Sequence, residues 1–257
     1  MSVLSYLEKR ASEAVLSSDE NSSISNSIAT LQSRLNSHFG TDLSEHFKFG
    51  SQPRGTILPR AMDEHSDIDY MIVFKDSGYT PQTYLDRLKR FVEKYYSTSS
   101  IKQTSPTITL ELNHIKFDLV PAVKGYRTGI YQIPNGTSAW RDTNPNDFNA
   151  TLTAKNNAEL YKIKPTIRLA KFWNAKAGYV YESFGFEKWI VDQSYYGIIN
   201  QRDYLFRVYN ALSLPTDAQW RKDRVQRAKD IVANVRKYES DSMPYTAEAE
   251  VKKLIPE

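Results

Sequence analysis

The run DIDYMIVF, Asp67 to Phe74, constrains the fold of this chain more than any other stretch. From Ile68 to Phe74 it is apolar and bounded by polar segments, so it reads as a buried strand. Yet Asp67 and Asp69 stand at the mouth of that strand. Alternate strand residues point to one face, so the two carboxylates share a side. A second apolar run, Ile115 to Val120, carries Lys116 and Asp118 in the same alternation. If the two strands are neighbours, three carboxylates converge on one half-buried patch, and their repulsion calls for positive charge among them.

The composition narrows what that charge is. There is no cysteine, which excludes disulfides and cysteine-containing zinc sites, and no pair of histidines at ligand spacing. An all-carboxylate set suits a hard, oxygen-loving cation: Mg²⁺, with Mn²⁺ as a substitute. Two such ions about 4 Å apart can clamp the attacking and leaving oxygens of a displacement at phosphorus. An isolated Asp-x-Asp is more often a solvated turn or cap. Here it follows Gly50-Ser51 and Arg54. A glycine turn can aim backbone N–H groups at a phosphate, and the Ser51 hydroxyl adds a donor. Arg54 would touch the phosphate or brace the turn.

Along the 257 residues, Ser2 to Leu16 and Ser25 to Phe39 read as helices, with SSDENSS between them as a linker. Phe47 to Phe49 is a short strand, and Pro81 to Tyr96 is a helix with proline near its first position. Ile108 to Leu112 and Ile115 to Val120 form a hairpin around Asn113-His114. Lys124 to Asn156 reads mostly as loop. Helices are expected over Asn157 to Ala177, with Pro165 starting or kinking one, and over Ser183 to Asn200 and Gln201 to Leu212. A last helix, Thr216 to Tyr238, opens with Thr216 and Gln219 at capping-box spacing. The expected architecture is α+β: a mixed-sheet lobe with the N-terminal helices over 1–125, and an α-helical lobe over 126–257 packed against it with a cleft between. The net charge of +4 and pI near 9.0 permit a nucleic-acid partner without requiring one. No apolar segment approaches the ~20 residues of a membrane span, and the N-terminus lacks a signal-peptide core. A cytoplasmic location and no membrane partner are expected.

These motifs resemble the nucleotidyltransferase superfamily that includes DNA polymerase β. Within it they resemble the bacterial CD-NTases, the cGAS/DncV-like (SMODS) second-messenger synthases. GSQPRGTILPRAMDEHSDIDYMIVF is similar to their Gly-Ser…Asp-x-Asp region, and KFDLVPAV to their third-aspartate strand. YQIPNGTSAW followed by TNP is similar to their crossing segment, and IKPTIRLAKFWN to a helix with a functional lysine. In ESFGFEKWIV, Ser183, Phe184 and Glu187 stand where the family usually has Ser-Tyr-x-x-Glu. The resemblance implies that Asp67, Asp69 and Asp118 bind metal and that Gly50 and Ser51 hold a donor triphosphate. It further implies that Lys171 and Ser183 contact the β and γ phosphates and that Phe184 stacks on a base. The implied activity is Mg²⁺-dependent synthesis of cyclic di- or oligonucleotides from NTPs, ATP among them, with release of pyrophosphate. The implied role is anti-phage defence (CBASS), by a monomer whose product, not direct contact, activates an effector. Two other readings stand beside it: transfer of NMP to a tRNA, protein or small molecule, and an inactive nucleotide- or RNA-sensing module. Base specificity, linkage and ring size are left open, as is any contact of Asp63, Glu64 or His65 with an acceptor.

Overall fold

A computed structural model describes residues 2–104, 106–125, 129–213 and 218–257. The chain divides into two compact units. One comprises Ser17–Arg60 and Glu64–Asp147; the other comprises Met1–Leu16, Ala61–Asp63 and Phe148–Glu257.

The chain begins with α1 (Val3–Glu13) and α2 (Ser18–Phe39), followed by β1 (Leu43–Phe49) and the single turn α3 (Ser51–Arg54). Next come β2 (Asp67–Phe74), α4 (Pro81–Tyr95), β3 (Ser100–Thr104), β4 (Thr107–Glu111) and β5 (Lys116–Lys124). The hairpin β6 (Tyr131–Asn135) and β7 (Ala139–Thr143) completes a seven-stranded sheet of order β1-β2-β5-β4-β3, with β6 on β5 and β7 on β6. Only β2 and β5 run parallel among the paired strands described. These two central strands are buried on both faces beyond their first residues, which explains their unbroken apolar runs. α4 buries Tyr84, Leu85, Leu88, Phe91 and Val92, a stripe at helical spacing, and contacts β3, β4, β5 and β6.

The helical unit holds α5 (Asp147–Ala158, whose first residue belongs to the other unit), α6 (Ile163–Lys176) and α7 (Ser183–Val191). It continues with α8 (Gln201–Ala211), α9 (Gln219–Ser240) and α10 (Pro244–Lys252). α1 packs on α6, α8 and α10, and the Tyr6 hydroxyl donates to the Ile255 carbonyl at 2.6 Å. The first helix therefore belongs to this unit rather than to the sheet. The break between units falls after Asp147, not at 125/126, because β6 and β7 extend the sheet.

Several expected elements differ. SSDENSS is not a linker: Ser17 and Glu20 form a reciprocal capping box that starts α2. Residues 124–156 contain β6, β7 and α5 instead of loop; the two strands are short, and β7 is mostly exposed. The helix expected over 157–177 is interrupted at Leu160 and Tyr161, both with positive φ (49° and 62°), and Pro165 lies in the first turn of α6. The helix expected over 183–200 ends at Val191. The Thr216 cap lies outside the described residues, and α9 starts at Gln219. β3 and α10 carry no strong periodic signal and were not expected. No helix of the described residues is long and apolar enough to cross a membrane.

Candidate active site

The sheet unit gathers Gly50, Ser51, Asp67, Asp69 and Asp118 at one end of β1, β2 and β5. Asp69 is the register partner of Phe49 on β1 and of Asp118 on β5. Gly50 follows Phe49 directly, so the turn lies against Asp69. A Cβ built on Gly50 would stand 1.9 Å from Asp69 Oδ2, and Gly50 has φ +74°. Two independent constraints, space and backbone conformation, thus require glycine here. Gly55, left-handed at φ +70°, closes the turn, and the Ser51 carbonyl accepts from Thr56 N at 3.0 Å. Arg54 is 6% exposed, which favours bracing the turn over meeting a ligand.

Asp67 pairs in register with Lys116, and Lys116 Nζ lies 3.2 Å from Asp67 Oδ2. Asp118 accepts a hydrogen bond from Thr109 Oγ1 at 2.8 Å, across the β4–β5 pairing. The positive charge that the sequence calls for is met in part by this lysine. Among the described residues no group of three or more His, Cys, Asp or Glu is drawn close enough to hold a metal ion. The donor set nonetheless fits a hard divalent cation: three half-buried carboxylates on adjacent parallel strands, in a chain without cysteine.

Asp63 is buried, belongs to the helical unit and accepts from the Tyr179 hydroxyl. Glu64 and His65 are exposed and face each other at 3.7 Å. In the helical unit Lys171 is buried at 8% exposure on α6. One turn later, Asn174 clamps Tyr181: its Nδ2 donates to the Tyr181 carbonyl at 2.8 Å, and its Oδ1 accepts from Tyr181 N at 3.0 Å. That clamp fixes where α7 and Ser183 begin. Glu182 caps α7 by accepting from Phe184 N and Gly185 N at 2.8 and 2.6 Å. Phe184 is 42% exposed and meets Phe148 edge-on at 5.6 Å. Its exposed face is compatible with stacking. Glu187, by contrast, is 1% exposed. Burial lowers the pKa of Arg168, one turn before Lys171, to about 10, so it stays a cation at neutral pH. Thr109, Arg168 and Asn174 were not singled out from the sequence; Asn174 alone carried a signal, as a polar residue beside the apolar stripe of its helix.

The mixed sheet, with a glycine turn pressed on paired aspartates, has the polymerase β-like nucleotidyltransferase fold. The chain superposes on the Escherichia coli MS115-1 CdnC structure with ATP at a TM-score of 0.73, 16% identity, covering 99% of this chain and 98% of that one. It matches Bradyrhizobium diazoefficiens CdnG in complex with GTP at 0.69, with 11% identity and 97% of each chain covered. At these identities the likeness shows the fold. Residues 1–156 match the model of the Second Messenger Oligonucleotide or Dinucleotide Synthetase (SMODS) domain, and the chain belongs to that family. It is also 28% identical over 182 residues to a probable cyclic nucleotide synthase, IK1_05630, of Bacillus cereus strain VD146. That match takes in 56% of this chain and 54% of the relative, about half its length.

Proposed function

We propose that the chain is a nucleotidyltransferase that makes cyclic di- or oligonucleotides from NTPs, ATP among them. The observation that carries this reading is the register of Asp69 with Asp118 beside a turn that only glycine can occupy. A ribose hydroxyl of one nucleotide attacks the α-phosphorus of another. The bond from that phosphorus to the pyrophosphate oxygen breaks, pyrophosphate leaves, and the hydroxyl proton is released. A second transfer closes the ring.

Asp67, Asp69 and Asp118 would hold Mg²⁺, which supplies charge neutralisation at the reacting phosphate and the leaving pyrophosphate. The remaining work is positioning. Thr109 orients Asp118 through one carboxylate oxygen. Gly50, pressed on Asp69, leads directly into Ser51, whose backbone N–H and hydroxyl would bind the donor triphosphate. Lys171 and Ser183 are assigned to its β and γ phosphates, and Phe184 to a base. Arg54 braces the turn from within. The product activates a separate effector in anti-phage defence.

Incubation with Mg²⁺ and NTPs, singly and in pairs, tests the reading by mass spectrometry of the products. A free, phosphatase-resistant cyclic nucleotide is expected. Nucleotide found only on a tRNA, a protein or a small acceptor would replace the reading with NMP transfer.

A further inference from the structure

The net charge of +4 resides wholly in the helical unit, which has 20 Lys and Arg against 16 Asp and Glu; the sheet unit has 14 of each. The excess is focused on α9, where Trp220, Arg224, Arg227 and Ile231 follow one another at helical spacing on one stripe. This stripe borders a groove of 150 Å³ between the end of α6, α9 and the turn after α10. Trp173 and Ile231, 6% and 4% exposed, contribute an apolar floor, and Lys176, Arg224, Arg227 and Lys253 are cations on its exposed rim. No carboxylate lines it among the described residues.

Four like charges around one depression repel each other, and a fold normally answers them with acids. Only one is answered here: Lys253 Nζ lies 2.5 Å from Glu250 Oε2. Lys176, Arg224 and Arg227 form no salt bridge among the described residues. Two acids stand within reach on the same helix, Asp223 four residues before Arg227 and Asp230 three after it. Both are engaged elsewhere. Asp223 Oδ1 accepts from Gln219 Nε2 and Asp230 Oδ1 from Gln226 Nε2, each at 2.8 Å, along the neighbouring stripe. Asp223 and Asp230 thus lie on one stripe of the helix, and Arg224 and Arg227 line the groove.

We propose that this groove binds phosphate groups. Guanidinium forks one turn apart match phosphate oxygens bidentately, and the two lysines add compact charge. A space of 150 Å³ is large enough to admit phosphate groups. The phosphates come from a free polyphosphate or from a nucleic-acid backbone. The proposal is independent of nucleotidyl transfer, and its test uses neither NTP nor metal.

Pyrophosphate binding is measured by calorimetry in EDTA on the wild type, on Arg224→Glu/Arg227→Glu, and on the charge-matched control Lys229→Glu/Lys237→Glu. All three are first checked for the same thermal unfolding midpoint; should the arginine double variant fail it, Arg224→Gln/Arg227→Gln takes its place. The groove variant is expected to weaken binding about tenfold or more, and the control to leave it within about twofold. A second arm titrates a 20-base-pair duplex. Weakening confined to pyrophosphate assigns the site to free polyphosphate. Weakening of a duplex that binds more tightly than pyrophosphate assigns it to a nucleic-acid backbone. No wild-type binding of either probe, or equal loss in variant and control, overturns the proposal.

Discussion

At Gly50 two constraints act on one atom. A methyl group there would meet Asp69 Oδ2 at 1.9 Å on a backbone already at φ +74°. Gly40 is also left-handed, at φ +52°, but a methyl group there meets nothing within 4 Å. Gly40→Ala should therefore cost only the conformational term, about 1–3 kcal/mol. Gly50→Ala should cost more than that in urea unfolding and should abolish pyrophosphate release, because Asp69 must move. Equal costs at the two glycines would show that the turn yields without disturbing Asp69. Thr109 offers a milder test. Thr109→Val keeps the shape and removes the 2.8 Å bond to Asp118. Turnover should fall about fivefold to tenfold, in proportion to one lost hydrogen bond, with Thr109→Ser restoring most of it. A Val variant with unchanged kcat would remove Thr109 from the account. The aspartates were legible in the sequence because charge at the mouth of an apolar strand is rare. Thr109 was not, since a threonine in a strand is ordinary until its cross-strand partner is known.

At the scale of elements, hydrophobic periodicity predicted what was long and buried and missed what was short or polar. β2, β5 and α4 stood out through their apolar residues. β3 and β7 are mostly exposed strands held by backbone pairing, which leaves little trace in side-chain pattern. The start of α2 reads as a linker because its first turn is polar, although Ser17 and Glu20 carry the capping-box spacing. The break at Leu160 and Tyr161 depends on left-handed backbone at two non-glycine residues, which sequence does not announce. The junction of α2, β1 and β2 makes a pH prediction. His46 Nδ1 lies 2.8 Å from the Tyr70 hydroxyl and Nε2 lies 3.0 Å from Asn36 Oδ1; burial lowers its pKa below the ordinary 6.5. The unfolded chain thus binds the proton more readily. The stabilising contribution is present above about 6.5 and is lost as the pH falls through the lowered folded value. His38 is shifted the same way, first by burial and then by Lys94 and Arg87. Thermal midpoints recorded from pH 7.5 to 5 should fall less steeply in His46→Gln than in the wild type. Identical profiles would contradict the assignment.

At the scale of the whole molecule, the α+β class and a helical second half were legible, and the assignment of α1 was not. Its buried residues Val3, Tyr6, Leu7 and Ala11 read as an amphipathic helix, but periodicity does not say which unit a helix covers. The Tyr6–Ile255 bond joins residues 249 apart in the chain, a contact no local pattern reveals. The chain's membership of the SMODS family rests on residues 1–156, and the carboxylates of β2 and β5 lie within that span. In the proposed reaction these carboxylates serve nucleotidyl transfer. Pyrophosphate release from mixed NTPs and Mg²⁺, compared between the wild type and Asp69→Asn, tests it most directly, since the substitution keeps the shape beside Gly50 and removes one charge. Steady release is expected from the wild type, and a loss of at least about a thousandfold in the variant. An Asp69→Asn protein that releases pyrophosphate at the wild-type rate, or a folded wild type that releases none with any NTP, would contradict it.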